Sequence, residues 1–182
     1  MGVDEARSHP IRRRALILGT AAALVAGRAA AQQGGKPIAA PSSAGDPATF
    51  VRDLYSMHLA AFTSSGSGSG ALGRATLDRV FAPDLARAIR RDDAQARRAG
   101  VMPELDFDPI TDSQDPDVHG LAIRLLGTGE RRATVEARFR QGGTRMTVLH
   151  YELIATNAGW RVVEIARPGP DGWSLRRILH AG

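Results

Sequence analysis

Apolar residues recur at three- and four-residue steps in the first half of this chain and at two-residue steps in the second. Phe50, Leu54, Met57, His58 and Ala61 fall on one face of a helix. Asp46 supplies its N-cap and Pro47 its first position, and it runs to about Phe62. Leu77, Phe81, Leu85 and Ile89 form a second helical stripe. Ala82-Pro83 divides that stripe into a short and a longer helix, because a residue before proline disfavours the helical conformation. Gly100 suits the left-handed position just past the end of the longer one.

From Leu121 the period is two. Leu121 to Leu126 reads as a strand, followed by Ala133, Val135, Ala137 and Phe139 alternating with Thr134, Glu136, Arg138 and Arg140. A longer strand spans Thr144 to Ile154, and a fourth spans Trp160 to Ile165. The segments between them are of hairpin length and rich in Gly, Thr and Asn. Trp173 to His180 closes the chain as a short helix or strand, with a helical turn favoured. Helices first and strands after predict an α+β fold: N-terminal helices packed on a curved four-stranded antiparallel meander. A sheet that wraps around such helices encloses a cone-shaped pocket.

Two stretches lie outside this pattern. Residues 1–31 read as a secretory signal: Arg12-Arg13-Arg14, a short apolar run from Ala15 to Gly27, and Ala29-Ala30-Ala31 as a cleavage site. The apolar run is too short to cross a bilayer. Arg13-Arg14 also fits a loose twin-arginine pattern. The expectation is a periplasmic or secreted protein, cleaved near Ala31, with no membrane span in its mature part. Residues 32–45 have the composition of a disordered tether, which leaves 46–181 as a single domain. Thr63 to Gly73 is a Ser/Gly run read as a flexible loop. It contains Gly68, Gly70 and Gly73 in G-x-G-x-x-G spacing, but a dinucleotide site needs a preceding strand, and here a helix precedes.

Charge changes the picture once the signal is set aside. The whole chain carries +5, but the signal contains five arginines and two acids, so the remainder is near +2. That is too little to point to nucleic acid. The chain has no cysteine, so neither a disulfide nor a lipid-bearing cysteine is available.

Chemistry concentrates in Glu104 to Asp117, which holds Asp106, Asp108, Asp112 and Asp115 as well. Clustered carboxylates suit a hard cation. An EF-hand register from Asp106 puts Ile110 and Thr111 where an oxygen ligand and glycine belong, and one from Asp112 puts Pro116 at the fifth place. No metal site is therefore assigned, and no motif for a cofactor is present. Candidates for acid–base work are His58, Asp106, Asp108, His119, His150 and Glu164, with a buried tyrosine, Tyr55 or Tyr151, to hold an oxyanion. His58 sits on the apolar stripe and reads in the first place as a partnered core histidine. Asp115, Trp160 and Glu164 are candidates for ligand binding. G-x-S-x-G and zinc spacings are absent from the sequence.

From about Ala48 to Leu179 the chain resembles the bacterial domain-of-unknown-function family 3828. The resemblance rests on Phe81-Ala82-Pro83-Asp84-Leu85, Phe107-Asp108-Pro109 with Gln114-Asp115, Gly159-Trp160-Arg161-Val162, Glu164-Ile165 and Ser174-Leu175-Arg176. Glu164 stands where Asp is expected, and the Ser/Gly loop is expanded. The resemblance implies a fold like nuclear transport factor 2, also called cystatin-like, with exported members of no established activity. Such folds host very different functions. The leading expectation is a non-enzymatic module binding a small ligand or a protein in or beside the cone. The small-ligand form fails if Leu54, Phe81, Phe139 and Trp160 fill that space. The alternatives are a lyase or isomerase using a buried carboxylate, and an interaction protein, toxin-neutralising for example. The last would work through the outer sheet face at Arg138, Arg140, His150 and Glu152. The oligomeric state has no signal in the sequence.

Overall fold

The structure, a computed structural model, describes residues 44–65 and 74–181. All described residues belong to one compact unit. The signal, most of the tether and the Gly68, Gly70 and Gly73 spacing lie outside the described residues.

Three helices precede the sheet: α1 (Pro47–Ser65), α2 (Arg74–Val80) and α3 (Pro83–Ala99). Asp46 starts α1 as expected. Its carboxylate accepts the Thr49 N–H and hydroxyl, each at 2.7 Å, and the Thr49 hydroxyl bond is the main reason its carboxyl titrates below the usual range. α1 outlasts the expected end at Phe62 and takes in the first residues of the Ser/Gly run. The Thr63 hydroxyl donates back to the carbonyls of Leu59 and Ala60, which suits a helix end. Ala82-Pro83 separates α2 from α3, and Gly100 closes α3 with φ of 68°.

The sheet comprises β1 (Val118–Gly129), β2 (Arg132–Gln141), β3 (Arg145–Thr156), β4 (Gly159–Arg167) and β5 (Trp173–Ser174), in that spatial order and antiparallel throughout. It is thus an α+β fold with an open five-stranded sheet, where four strands were expected. The additional strand arises because residues 168–172 fold back sharply. A side chain at Gly172 would meet the Arg167 carbonyl oxygen at 2.3 Å, so only glycine fits there. The turn returns Trp173 and Ser174 alongside Arg167 and Ala166, and the four-residue α4 (Leu175–Ile178) follows.

One face of the sheet is covered. α1 lies against β1 and β2, α2 against β4, and α4 against β4 and β5. Alternation decides which residues face in. Val135, Ala137 and Phe139 on β2 and Leu149, Tyr151 and Leu153 on β3 are fully buried. They join Val51, Leu54, Tyr55, Phe81, Leu85 and Ile110 in one core. The other face carries the alternate residues and no helix among the described elements.

Candidate functional site

The helix-covered face of the sheet is packed with bulky side chains. Leu54, Phe81, Phe139 and Trp160 each expose 3% or less, within one cluster that includes Tyr55, Tyr151, Val162 and Ile165. Those four side chains are packed in the core and give the small-ligand form of the cone reading no support. A cleft of about 210 Å³ lies elsewhere, between α3 and the C-terminal turn. It is smaller than the roughly 300 Å³ at which ligand sites begin. Two of its polar side chains are engaged within the chain: the Asp92 carboxylate accepts the N–H groups of Glu104 and Leu105, and Arg91 donates to the Leu179 carbonyl.

The carboxylates of the acidic loop separate rather than converge. Asp108 turns inward, its side chain 6% exposed. Its Oδ2 lies 2.6 Å from His58 Nε2 and accepts the Thr111 hydroxyl at 2.6 Å, while Oδ1 accepts the Ile110 N–H at 3.0 Å. This is an Asx turn tied down by a core histidine. His58 is thus a partnered core residue, and the pair faces packed protein rather than a substrate space. Asp106 is exposed, and its carbonyl accepts the Gln114 side-chain amide. Asp115 is exposed as well, its carbonyl accepting from Gln141 and Ser113.

Tyr55 and Tyr151 meet beneath this loop. The Tyr55 hydroxyl donates to the Ile110 carbonyl at 2.7 Å, and burial holds both phenols well above the ordinary tyrosine range. Trp160 donates its indole N–H to the Gly45 carbonyl at 2.8 Å and so fixes the entry to α1. Glu164 follows a bulge in β4. Its Oε1 accepts the N–H groups of Ile165 and Arg176, and its Oε2 accepts the Ser174 hydroxyl at 2.6 Å. Both oxygens are engaged in holding the start of α4. Tyr55, Trp160 and Glu164 are therefore all committed inside the fold.

Sequence reasoning missed two groups. Asp112 has a left-handed backbone, φ 54°, and a buried carboxylate that accepts Arg167 Nη1 at 2.9 Å and the Trp173 indole N–H at 2.7 Å. Asp tolerates that conformation better than most residues, which was the one available signal. Glu136 is the second. It is an outward residue by alternation, yet its side chain is only 11% exposed, because Arg124 (3.4 Å), His150 (3.6 Å) and Arg138 (3.8 Å) crowd around it.

Those side chains belong to a continuous surface. Arg124 on β1 pairs across to Glu136, which pairs across to His150 on β3. Arg138 and Arg140 follow on β2 toward one end and Arg132 toward the other, all exposed. Glu152 is the next acid on β3, opposite Thr134. On the β1–β2 side of the face stand four exposed arginines, two of which, Arg124 and Arg138, reach one largely buried carboxylate.

Among the described residues no group of three or more acidic, His or Cys side chains is placed to hold a metal ion, and no helix is long and apolar enough to cross a membrane. No family model and no curated protein matches the chain. Among solved structures it is similar to a chain from the crystal structure of the type VI native effector–immunity complex Tae3–Tai3 from Ralstonia pickettii. The identity is 19% over 69% of this chain and 97% of that one, with a TM-score of 0.49. A likeness that distant assigns no function.

Proposed function

We propose that this chain is an exported, non-enzymatic module that binds an acidic protein partner through the outer face of its sheet. The observation that carries the reading is the arginine surface. Arg124, Arg132, Arg138 and Arg140 stand on an uncovered face, and the acid among them, Glu136, is nearly enclosed by its neighbours. Such a face attracts a complementary one and rejects basic surfaces. A rigid sheet presents it without a backbone ordering cost, because its other side is anchored in the core.

The lyase or isomerase alternative has less support. Its best carboxylate, Asp108, already serves His58, Thr111 and Ile110, and the space around it is packed. A general base needs a substrate proton within hydrogen-bond reach. The proposal keeps the cone-shaped, cystatin-like architecture and the kinship with family 3828. The residues that suggested the kinship build the loop and its anchors: Phe107 packs edge-on against Trp173 at 5.0 Å, Asp108 makes the Asx turn, and Gln114 ties back to Asp106. It also keeps the export signal and the route outside the cytoplasm; a toxin is one kind of partner it would neutralise there.

Site-directed photo-crosslinking in the native host tests the reading. A crosslinker at Arg140 or Val148, both on the outer face, is expected to trap a discrete acidic protein, and one at Arg87 on α3 is not. Crosslinks only from the α3 position would overturn it.

A further inference from the structure

The sheet has two edges, and the chain closes one of them itself. Along β4 the Ala82 N–H donates to the Val162 carbonyl at 2.8 Å, Phe81 forms a parallel bridge to Val162, and β5 covers Ala166 and Arg167. Along β1 the described residues provide a neighbour on the β2 side only. An edge strand leaves every second N–H and C=O without a ladder partner and so templates the addition of another strand. Pairing in β1 shifts between His119 and Ala122 and again between Leu125 and Gly127. Irregularities of that kind blunt an edge. They leave Ala122–Leu125 as the regular stretch where an added strand fits.

The two faces of that stretch differ in chemistry. Toward the helices, Ile123 packs against the core, while Leu125 stays 42% exposed although it sits across from the fully buried Val135. Toward the outer face, Arg124 projects beside Glu136, and the small Ala122 sits across from Arg138. The backbone of an acidic residue on an added strand opposite Ala122 lies about 10 Å, two strand spacings, from the Arg138 backbone. Two extended side chains span that distance, and only a methyl group intervenes. A second copy of this chain fits poorly: it brings the same arginines to the seam, like charge against like.

We infer that β1 takes up, at Ala122–Leu125, an extended segment of the partner in which acidic and apolar residues alternate. The acids lie over Arg124 and Arg138, and the apolar side chains cover Ile123 and Leu125. This rests on the reading of the partner as an acidic protein, and it names how that protein docks.

The test is amide hydrogen exchange read by NMR on the full-length chain. The probe is a capped eight-residue peptide of alternating valine and glutamate, with a valine–lysine peptide as control. The glutamate peptide is expected to slow exchange at least fivefold at alternate amides within Ala122–Leu125. The lysine peptide is expected to have no effect, and Arg124→Glu to abolish the slowing. No slowing at millimolar peptide, or equal slowing by the lysine peptide, overturns the inference. Slowing that rises with protein concentration alone assigns the edge to a second copy and overturns it too. Shifts across the outer face without slowing at β1 remove strand addition and leave face binding standing. A captured partner that ignores charge reversal on the face removes the parent reading instead.

Discussion

The Tyr151 hydroxyl donates to that of Tyr55 at 3.0 Å, joining the middle of β3 to the buried side of α1 across 96 positions of sequence. Tyr55 in turn donates to the Ile110 carbonyl at 2.7 Å, and Tyr151 lies 3.3 Å from the same oxygen. Helix, sheet and acidic loop thus share one buried acceptor. Tyr151→Phe leaves the shorter bond intact, so the expected loss is about 1 kcal/mol. Tyr55→Phe removes it and leaves the longer one, for an expected loss of about 1–2 kcal/mol. The double variant is expected to lose more than the sum, since each hydroxyl covers for the other. Urea unfolding of the three variants measures this.

The same two residues are the chain's entire tyrosine content, which makes alkaline pH a clean probe. Burial raises both phenols above their ordinary value of 10.0 in the folded protein. The unfolded chain releases these protons near pH 10, and the folded chain keeps them. Stability is therefore unaffected below pH 10 and falls above it, on the order of 1 kcal/mol per pH unit for each ring. Absorbance at the tyrosinate band is expected to show no step at pH 10 and a single step coincident with unfolding. A reversible step at pH 10 in folded protein would contradict the burial.

Asp108 is expected to behave as a structural residue. Asp108→Ala strips an acceptor from His58, Thr111 and the Ile110 N–H together. The expected cost is about 3–5 kcal/mol, the range for breaking a buried polar pair. Thermal unfolding measures it, and a change under 1 kcal/mol would show that the turn holds without its carboxylate.

Asp112 gathers a second set of anchors. Asp112→Ala removes the acceptor of Trp173 and Arg167 while keeping a left-handed backbone that alanine disfavours. The expected outcome is a loss of about 2–4 kcal/mol and a red shift of the Trp173 part of the emission. Asp112→Asn keeps an acceptor for the indole and tolerates the backbone, so it is expected to lose less than half as much.

Much of the architecture was legible in the sequence because it follows local rules. Asp46-Pro47, Ala82-Pro83 and Gly100 marked helix boundaries through backbone chemistry that acts within a few residues. Alternation in residues 133–140 separated the buried face from the outer one, and that same alternation brought Arg138 and Arg140 onto one surface. What was not legible depends on distant pairing. Nothing near Glu164 in sequence says that Ser174 and Arg176 will use its oxygens. Nothing near Asp112 announces Arg167 and Trp173, 55 and 61 positions away. Tyr55, Trp160 and Glu164 looked like site residues because polar groups on apolar elements suit both binding and internal satisfaction, and here the fold itself uses them. How Leu54, Phe81, Phe139 and Trp160 pack turned on side-chain volume, which periodicity does not measure.

Charge reversal on the sheet asks whether the arginine face holds the partner. Arg138→Glu with Arg140→Glu leaves the core untouched, because both side chains are exposed on the face opposite the helices. Calorimetric titration against the partner trapped at Arg140 or Val148 is the measurement, with Arg97→Glu and Arg98→Glu on α3 as the control pair. The account expects the sheet pair to weaken binding at least tenfold, about 1.4 kcal/mol or more, and the control pair to change it less than twofold. Equal affinity for the sheet variant and the unaltered chain would contradict it.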